Sequence, residues 1–197
     1  MKSKSNSKVL TISFGHFIHD VYTAFLAPVL PILIENLKLS FFQASILSVI
    51  RSVPAAFDAF VGLLADKKDF RYFVIAAPAI SGILMSLLGL APNYIVLIIM
   101  LFAVGISSTL FHIPTPVMIK KVSPERIGFG MSMYMVGGEL ARTIGPLIIL
   151  AGISLWGFEG TYRLIPLSLA TSLLMWIQLR KITIHRKKDV TKQPVKI

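Results

Sequence analysis

The sequence predicts an all-α integral membrane protein, a bundle of six transmembrane helices. Of the 197 residues, 55% are hydrophobic and only 15% are charged, whereas a soluble domain usually has about a quarter charged residues. Six apolar segments each approach the ~20 residues that cross ~30 Å of hydrocarbon. Lys and Arg concentrate in alternate connections between these segments, which is typical of multi-pass membrane proteins.

The six predicted spans follow one another through connections of three to ten residues, so no separate soluble domain is expected. They cover approximately Val9–Ile34, Phe41–Leu64, Tyr72–Leu90, Tyr94–Val117, Gly128–Leu155 and Tyr162–Leu179. The predicted organisation is a six-helix bundle over residues 1–180. Residues 181–197 are interpreted as a basic cytoplasmic tail or the start of a central loop.

The first span follows a basic N-terminal stretch, as a signal peptide would. Its apolar part continues past Leu30, which is longer than the core of a signal peptide, and no small-residue cleavage site follows. We therefore interpret it as a retained helix. Prolines remove intrahelical hydrogen bonds and predict bends within the spans. They are Pro28 and Pro31 in the first span, Pro54 in the second, Pro114 and Pro116 in the fourth, and Pro146 in the fifth.

The basic residues indicate an orientation. Sixteen of the twenty Lys and Arg lie in the N-terminus, the second and fourth connections and the C-terminal tail, and only Lys38 and Arg163 lie on the opposite side. The positive-inside rule places both termini in the cytoplasm, with the chain in the cell's inner or plasma membrane. The net charge of +11 thus reflects topology, and the expected partner is the lipid bilayer rather than nucleic acid. The chain has no Cys, and neither a cofactor nor a metal is expected.

The connection after the second span carries a motif. It reads Gly62-Leu63-Leu64-Ala65-Asp66-Lys67-Lys68-Asp69-Phe70-Arg71. This resembles the G-x-L-A-D-[RK]-x-G-[RK]-[RK] loop between the second and third helices of the major facilitator superfamily. The matching positions are Gly62, Leu64, Ala65, Asp66, Lys67 and Arg71. Asp69 and Phe70 depart from the pattern.

Within that superfamily, the sequence resembles the fosmidomycin-resistance-type drug exporters most closely. The resemblance rests on these segments: Phe14-Gly15-His16 with Asp20, Phe111-His112, Arg126, Gly128, Ser132, Val136-Gly137-Gly138 and Gly145-Pro146-Leu147. The subgroup's F-H-P-E is here Phe111-His112-Ile113-Pro114. Two fifth-helix positions expected to be small or amide-bearing are Glu139 and Arg142, so the substrate site is expected to differ.

The resemblance implies a secondary active transporter and not an enzyme. Its members have twelve helices, arranged as two six-helix halves with 3+3 inverted repeats that rock about a midplane site. This chain would form the N-terminal half, and the second half would come from a continuing chain, a separate polypeptide or a homodimer. We expect proton-coupled efflux of a small organic solute or drug. Proton-symport uptake, or a six-helix fragment without transport of its own, are the alternatives.

Ionisable residues inside the spans mark the candidate site, because a charge at mid-bilayer costs about 2.5–3.5 kcal/mol on insertion scales. Those nearest the middle are His16, His19, Asp20, Arg51, Glu139 and Arg142. His16 and Asp20 are four residues apart and share a helix face, and Glu139 can pair with Arg142 three residues later.

We expect Asp20 to carry the proton, with His16 and His19 assisting and Arg51 as its countercharge. Glu139 and Arg142 follow as substrate or coupling residues. His112 is a weaker candidate, since a lone helical histidine is more often hydrogen-bonded structure. The alternative for the whole set is a buried ion-pair network that only ties the helices together. Small residues and a proline in the fifth span are expected to act in packing and hinge motion: Gly137, Gly138, Gly145 and Pro146.

Two other function classes have weaker support. Gly105-Ile106-Ser107-Ser108 faintly resembles the nucleophile motif of intramembrane serine proteases, but the sixth span has no His to act as the base. Haem ligation by His112 with His16 or His19 is conceivable, although the nearby carboxylate favours proton chemistry.

Overall fold

The computed structural model describes residues 2–65 and 67–182, with side chains from residue 6 onward. Within these ranges the chain is helical and has no strand. The α-helices are α1 Lys2–Thr23, α2 Leu26–Leu37, α3 Phe41–Ser52, α4 Asp58–Ala65, α5 Arg71–Ser86, α6 Tyr94–His112, α7 Thr115–Val122, α8 Ile127–Trp156 and α9 Ile165–Leu179. Short 3-10 segments lie at Val53–Phe57, Leu88–Leu90, Pro124–Arg126 and Glu159–Leu164.

The described helices group into six segments in the predicted order. Four are long and apolar enough to cross a membrane: Asn6–Leu37, Phe41–Ala65, Tyr94–Val122 and Pro124–Trp156. The third segment has the apolar helix α5 of 16 residues, which Leu88–Leu90 prolongs, and the sixth joins Glu159–Leu164 to α9. The chain therefore has the all-α membrane fold that the sequence predicts.

The fourth segment is longer than predicted. The expected end was Val117, but α7 continues to Val122 and includes Lys120 and Lys121 in its last turn. By composition alone, these two lysines predict a connecting loop. They instead form the polar end of a helix that buries Met118 and Ile119, so the span boundary and the helix boundary differ.

Three of the segments are interrupted beside prolines. The first breaks at Ala24–Phe25, between α1 and α2, because Pro28 has no N–H for the carbonyl of residue 24 and its ring clashes there. The second changes to a 3-10 turn at Val53–Phe57, around Pro54. The fourth breaks between His112 and Thr115. By contrast, α2 and α8 run through Pro31 and Pro146 without interruption.

Helix α1 lies at the centre of the packing. It contacts α8, α5 and α9, while α6 contacts α5 and α3. The second segment is the least covered: 11% of the residues in its most apolar part are buried, against 50% in the first segment. Since α1 meets helices from both ends of the chain, side chains on its inner faces lie in the middle of the bundle.

Glycines allow α1 and α8 to approach closely. A Cβ atom at Gly137 would lie 2.7 Å from the carbonyl oxygen of Ser13, and one at Gly145 would lie 2.7 Å from the carbonyl oxygen of Val21. Both distances are shorter than real Cβ atoms show, so the two backbones touch only because these positions lack side chains. Pro146 follows directly and is half-buried.

Candidate functional site

Asp20 lies between two histidines from different helices. Its Oδ2 atom is 3.2 Å from Nε2 of His16, one helical turn earlier on α1. Its Oδ1 atom is 3.2 Å from Nε2 of His112, near the end of α6. Asp20 and His16 are each 5% exposed, and the His112 side chain is 37% exposed. His112, which the sequence ranked last, thus contacts the central carboxylate directly.

Tyr134 on α8 contacts both His16 and His112, and the sequence did not predict this role. Its backbone carbonyl is 2.7 Å from Nδ1 of His16, and its hydroxyl is 3.1 Å from Nδ1 of His112. The Tyr134 and His16 rings also stack, with 3.8 Å between their centroids. Nothing in the sequence marks this tyrosine, because its partners are 118 and 22 residues away along the chain.

The tautomer of His16 follows from this contact. A carbonyl oxygen only accepts hydrogen bonds, so Nδ1 of His16 must carry the proton and donate it to Tyr134. In a neutral ring Nε2 then has a lone pair, and this lone pair faces a carboxylate oxygen of Asp20. Two acceptors at 3.2 Å attract each other only when a positive charge lies between them. The arrangement is therefore suited to hold a cation.

His19 lies beside this cluster. Its Nε2 atom is 3.2 Å from the hydroxyl of Ser108, and its ring stacks on Phe111 with 4.6 Å between centroids. It is fully buried, and its Nδ1 has no hydrogen-bond partner among the described residues. A Ser-His-Asp triad would need Asp20 on that nitrogen, so the protease interpretation fails here as well.

Arg51, the predicted countercharge of Asp20, makes no direct ion pair with it within the described part of the chain. Its Nη1 donates to the carbonyl oxygen of Thr23 at 3.1 Å. That carbonyl closes α1 at the break, where helix ends leave acceptors without intrahelical donors. Arg51 and Asp20 nevertheless line one cavity, so the role of Arg51 as a countercharge to Asp20 stays a prediction.

A cavity of about 350 Å³ connects several of these groups. It is lined by Asp20, Thr23, Ala24, Arg51, Ser108, His112 and Arg142. Two guanidinium groups, one carboxylate and one imidazole thus face a common space among helices that cross the membrane. Such charges are usually retained in a membrane where they pair or line a wet pathway.

Glu139 and Arg142 pair as predicted, but at the edge of the bundle. Nη1 of Arg142 is 2.9 Å from Oε1 of Glu139, and their side chains are 64% and 68% exposed. Arg142 also lines the cavity, whereas Glu139 does not. Beside them Gly138 faces the buried cluster: a Cβ atom there would lie 2.6 Å from Cε1 of His16.

Comparison with known sequences decides the family. The chain matches the Major Facilitator Superfamily over residues 12–197. It belongs to this superfamily. It is 27% identical to YfnC of Bacillus subtilis, an uncharacterized MFS-type transporter, over 86% of this chain and 42% of the relative. It is 23% identical to the fosmidomycin resistance protein of Escherichia coli, over 79% of this chain and 39% of the relative.

A third relative is the multi-drug resistance efflux pump PmrA of Streptococcus pneumoniae, which is 26% identical over 68% of this chain and 35% of the pump. The chain thus spans less than half the length of these curated relatives. The chain thus belongs to a superfamily of membrane transporters, whose members are not enzymes, as the resemblance implied.

The superfamily loop motif is only partly described. Gly62 lies in α4, where a Cβ atom would make an ordinary contact, 3.7 Å from Ile113. Lys67 is exposed, and Asp66 lies outside the described residues. Arg71 begins α5, lies 3.5 Å from Asp69, and donates to the carbonyl oxygen of Ile182 at 3.1 Å. In this structure Arg71 therefore connects the loop to the end of the sixth segment.

Proposed function

We propose that this chain is the N-terminal half of a secondary active transporter that exports a small organic solute in exchange for protons. The observation that carries the proposal is the charged cavity lined by Asp20, Arg51, His112 and Arg142. Buried charge among membrane-crossing helices is costly, so a cavity with four ionisable groups favours transport over a scaffold role. The relatives named for drug resistance and efflux support export over uptake.

Asp20 is the proposed site of proton coupling. Its carboxylate contacts His16 and His112, and a positive charge must lie in the His16 contact. A proton supplies that charge most simply. Because His112 lines the cavity, a solute that enters can displace this charge. The outcome is exchange of solute against a proton.

Arg51 and Arg142 are the proposed solute contacts. Each guanidinium lines the cavity and offers several fixed donors in a plane. They suit a polar or amphiphilic solute that carries hydrogen-bond acceptors. Arg51 uses one donor on the Thr23 carbonyl, which fixes its position while other N–H groups remain for a solute.

A second six-helix unit is proposed to cover α8 beside the Glu139–Arg142 pair. Both side chains are about two-thirds exposed on this half, and charges are not stable facing lipid at that depth. Alternating access needs two halves around a central site, and the relatives are more than twice as long as the matched region. We further propose the cell's inner membrane as the location, with both termini cytoplasmic.

The test uses everted vesicles that contain the transporter assembled with its second half. Fosmidomycin serves as the first solute, with a fluorescent efflux-pump substrate as the second. We expect accumulation of at least one of them in the lumen when the lumen is acidic, and none when the gradient is collapsed. Accumulation that requires the opposite gradient would indicate symport. Equal flux with and without a gradient would contradict proton coupling.

A further inference from the structure

The cluster at the centre of the bundle has the composition of a metal site. Nε2 of His16, a carboxylate oxygen of Asp20 and Nε2 of His112 lie within 4.8 Å of one another. Two nitrogen ligands and one oxygen ligand come from two helices, α1 and α6. This set belongs to no loop motif of the superfamily, and the fold brings His112 to it from α6.

The distances fit a shared ion. Zinc binds His nitrogen at about 2.0–2.1 Å and carboxylate oxygen at about 2.0–2.2 Å, so two ligands at bond angles of about 90–109° lie about 3.0–3.4 Å apart. Nε2 of His16 is 3.2 Å from Oδ2 of Asp20 and Nε2 of His112 is 3.2 Å from Oδ1, so the carboxylate lies within reach of an ion held by either histidine. His112 is the most exposed of the three side chains and is the one that can move to share the ion.

The orientation of the ligands is fixed by Tyr134. Metal-bound histidines usually donate their second ring N–H to a carbonyl or another acceptor, and this fixes the tautomer. His16 donates from Nδ1 to the Tyr134 carbonyl, so its Nε2 lone pair is directed at Asp20. Nδ1 of His112 contacts the Tyr134 hydroxyl. One residue thus sets both imidazoles with Nε2 directed inward.

The Asp20 carboxylate can also bind a further partner. Oδ1 of Asp20 is buried and has no hydrogen-bond partner in the described residues. The nearest histidine nitrogen, Nε2 of His112, faces it at 3.2 Å. A metal ion bound by both atoms would give this buried oxygen a partner.

We propose that His16, Asp20 and His112 bind one divalent transition-metal ion, with zinc, cobalt or nickel as the fitting class. Imidazole and carboxylate ligands suit these ions, and the chain has no Cys that would select a softer metal. The fourth position opens to the cavity that His112 lines, where water or an acceptor group of a solute completes the shell. A bound ion ties α1 to α6. A bound ion would take the place that the proposed function gives to a proton, so the metal ion and the proton compete for the same side chains.

The experiment is metal titration of the purified, tag-free protein in detergent. Cobalt(II) is followed by its visible absorption and zinc(II) by calorimetry. We expect one saturable equivalent in the wild-type protein. Asp20→Asn and His112→Gln should each raise the Kd at least about tenfold, since even the loss of a supporting residue costs 10–100-fold. His19→Gln is the matched control, because His19 lies on the same helix but contacts Ser108; its Kd should match the wild type.

Circular dichroism of each variant shows whether it is folded, and His112→Gln leaves the buried positions of α1 unchanged. Absence of a saturable equivalent in the wild-type protein would overturn the site. So would binding that survives both Asp20→Asn and His112→Gln and disappears in His185→Ala, which replaces the fourth histidine of the chain, outside the described residues. Failure of metal binding would leave the transport proposal intact, because that proposal is tested by solute flux.

Discussion

The Asp20 cluster and the Glu139–Arg142 pair belong to the same bundle but differ in what surrounds them. Asp20 is 5% exposed and is enclosed by groups from α1, α6 and α8 of this chain. The Glu139 and Arg142 side chains are 64% and 68% exposed and contact each other on one helix. The first site is buried by helices of this chain. The second is part of a surface, and its environment depends on what lies against α8.

The difference shows why position along a helix is insufficient to assign a role to a membrane charge. Both sets lie near the middle of predicted spans, and both have partners three or four residues away. Only the packing separates them. A side chain at Gly138 would point to the His16 ring, while the side chain of the next residue, Glu139, points outward. Adjacent positions on α8 therefore contribute to two different environments.

The largest effect is expected from filling the contact between α8 and His16. Gly138→Leu places side-chain atoms where a Cβ alone would already be 2.6 Å from the imidazole. Overpacking of this kind costs about 1–3 kcal/mol. It also displaces His16, which contacts Asp20, so we expect loss of both thermal stability and solute flux. Gly128→Leu is the control, because a Cβ atom there meets nothing within 4 Å. Equal effects of the two would contradict the packing described.

A smaller effect on solute flux is expected from substitutions of His112 and His19, and it should differ between the two. His112→Gln should reduce solute flux more than tenfold, since His112 contacts Asp20 and lines the cavity, and general acid–base partners contribute on the order of 10²-fold or more. His19→Gln should reduce it only a few-fold, because its contact is with Ser108. Flux in vesicles at matched protein levels measures both. The reverse order would show that His19, not His112, is the working partner.

The Glu139–Arg142 pair should contribute little to the stability of this half. An exposed ion pair is worth about 0.2–1 kcal/mol in double-mutant cycles. Glu139→Gln, Arg142→Gln and the double variant, compared by thermal unfolding in detergent, should give a coupling energy in that range. In the assembled transporter, by contrast, Arg142→Gln should weaken solute flux while Glu139→Gln has less effect, because only Arg142 lines the cavity. A coupling energy well above 1 kcal/mol would mean that the pair is buried.

The smallest effect is expected in the loop motif. Gly62→Ala adds a Cβ atom at an ordinary contact distance of 3.7 Å from Ile113, and alanine is favoured over glycine within a helix by up to ~1 kcal/mol. We expect unchanged or slightly raised thermal stability and unchanged flux. A strong loss of flux with normal stability would show that this position approaches another helix in a second conformation.

The fold was predictable because hydrocarbon thickness sets the length of a span and prolines remove intrahelical hydrogen bonds. The order of six segments and the breaks beside Pro28 and Pro54 followed from these rules. The end of the fourth segment did not, because Lys120 and Lys121 end a helix that is buried on its other face.

The site was predictable only in part. His16 with Asp20, and Glu139 with Arg142, are local pairs whose spacing on a helix brings them together. The contacts of Asp20 with His112 and of His16 with Tyr134 join different helices, and no spacing rule gives them. The contact of Arg51 with the Thr23 carbonyl was unpredictable for the same reason, since a helix break exposes that carbonyl.

The most direct test is proton movement driven by solute in vesicles that contain Asp20→Asn, with Glu125→Gln, a substitution at an exposed position of the 3-10 segment Pro124–Arg126, as the control. The wild-type transporter and the control should move protons when solute is added. Asp20→Asn should move none, yet should still exchange labelled for unlabelled solute, which shows that it is folded and binds solute. Proton movement at the wild-type rate in Asp20→Asn would contradict the central role given to this carboxylate.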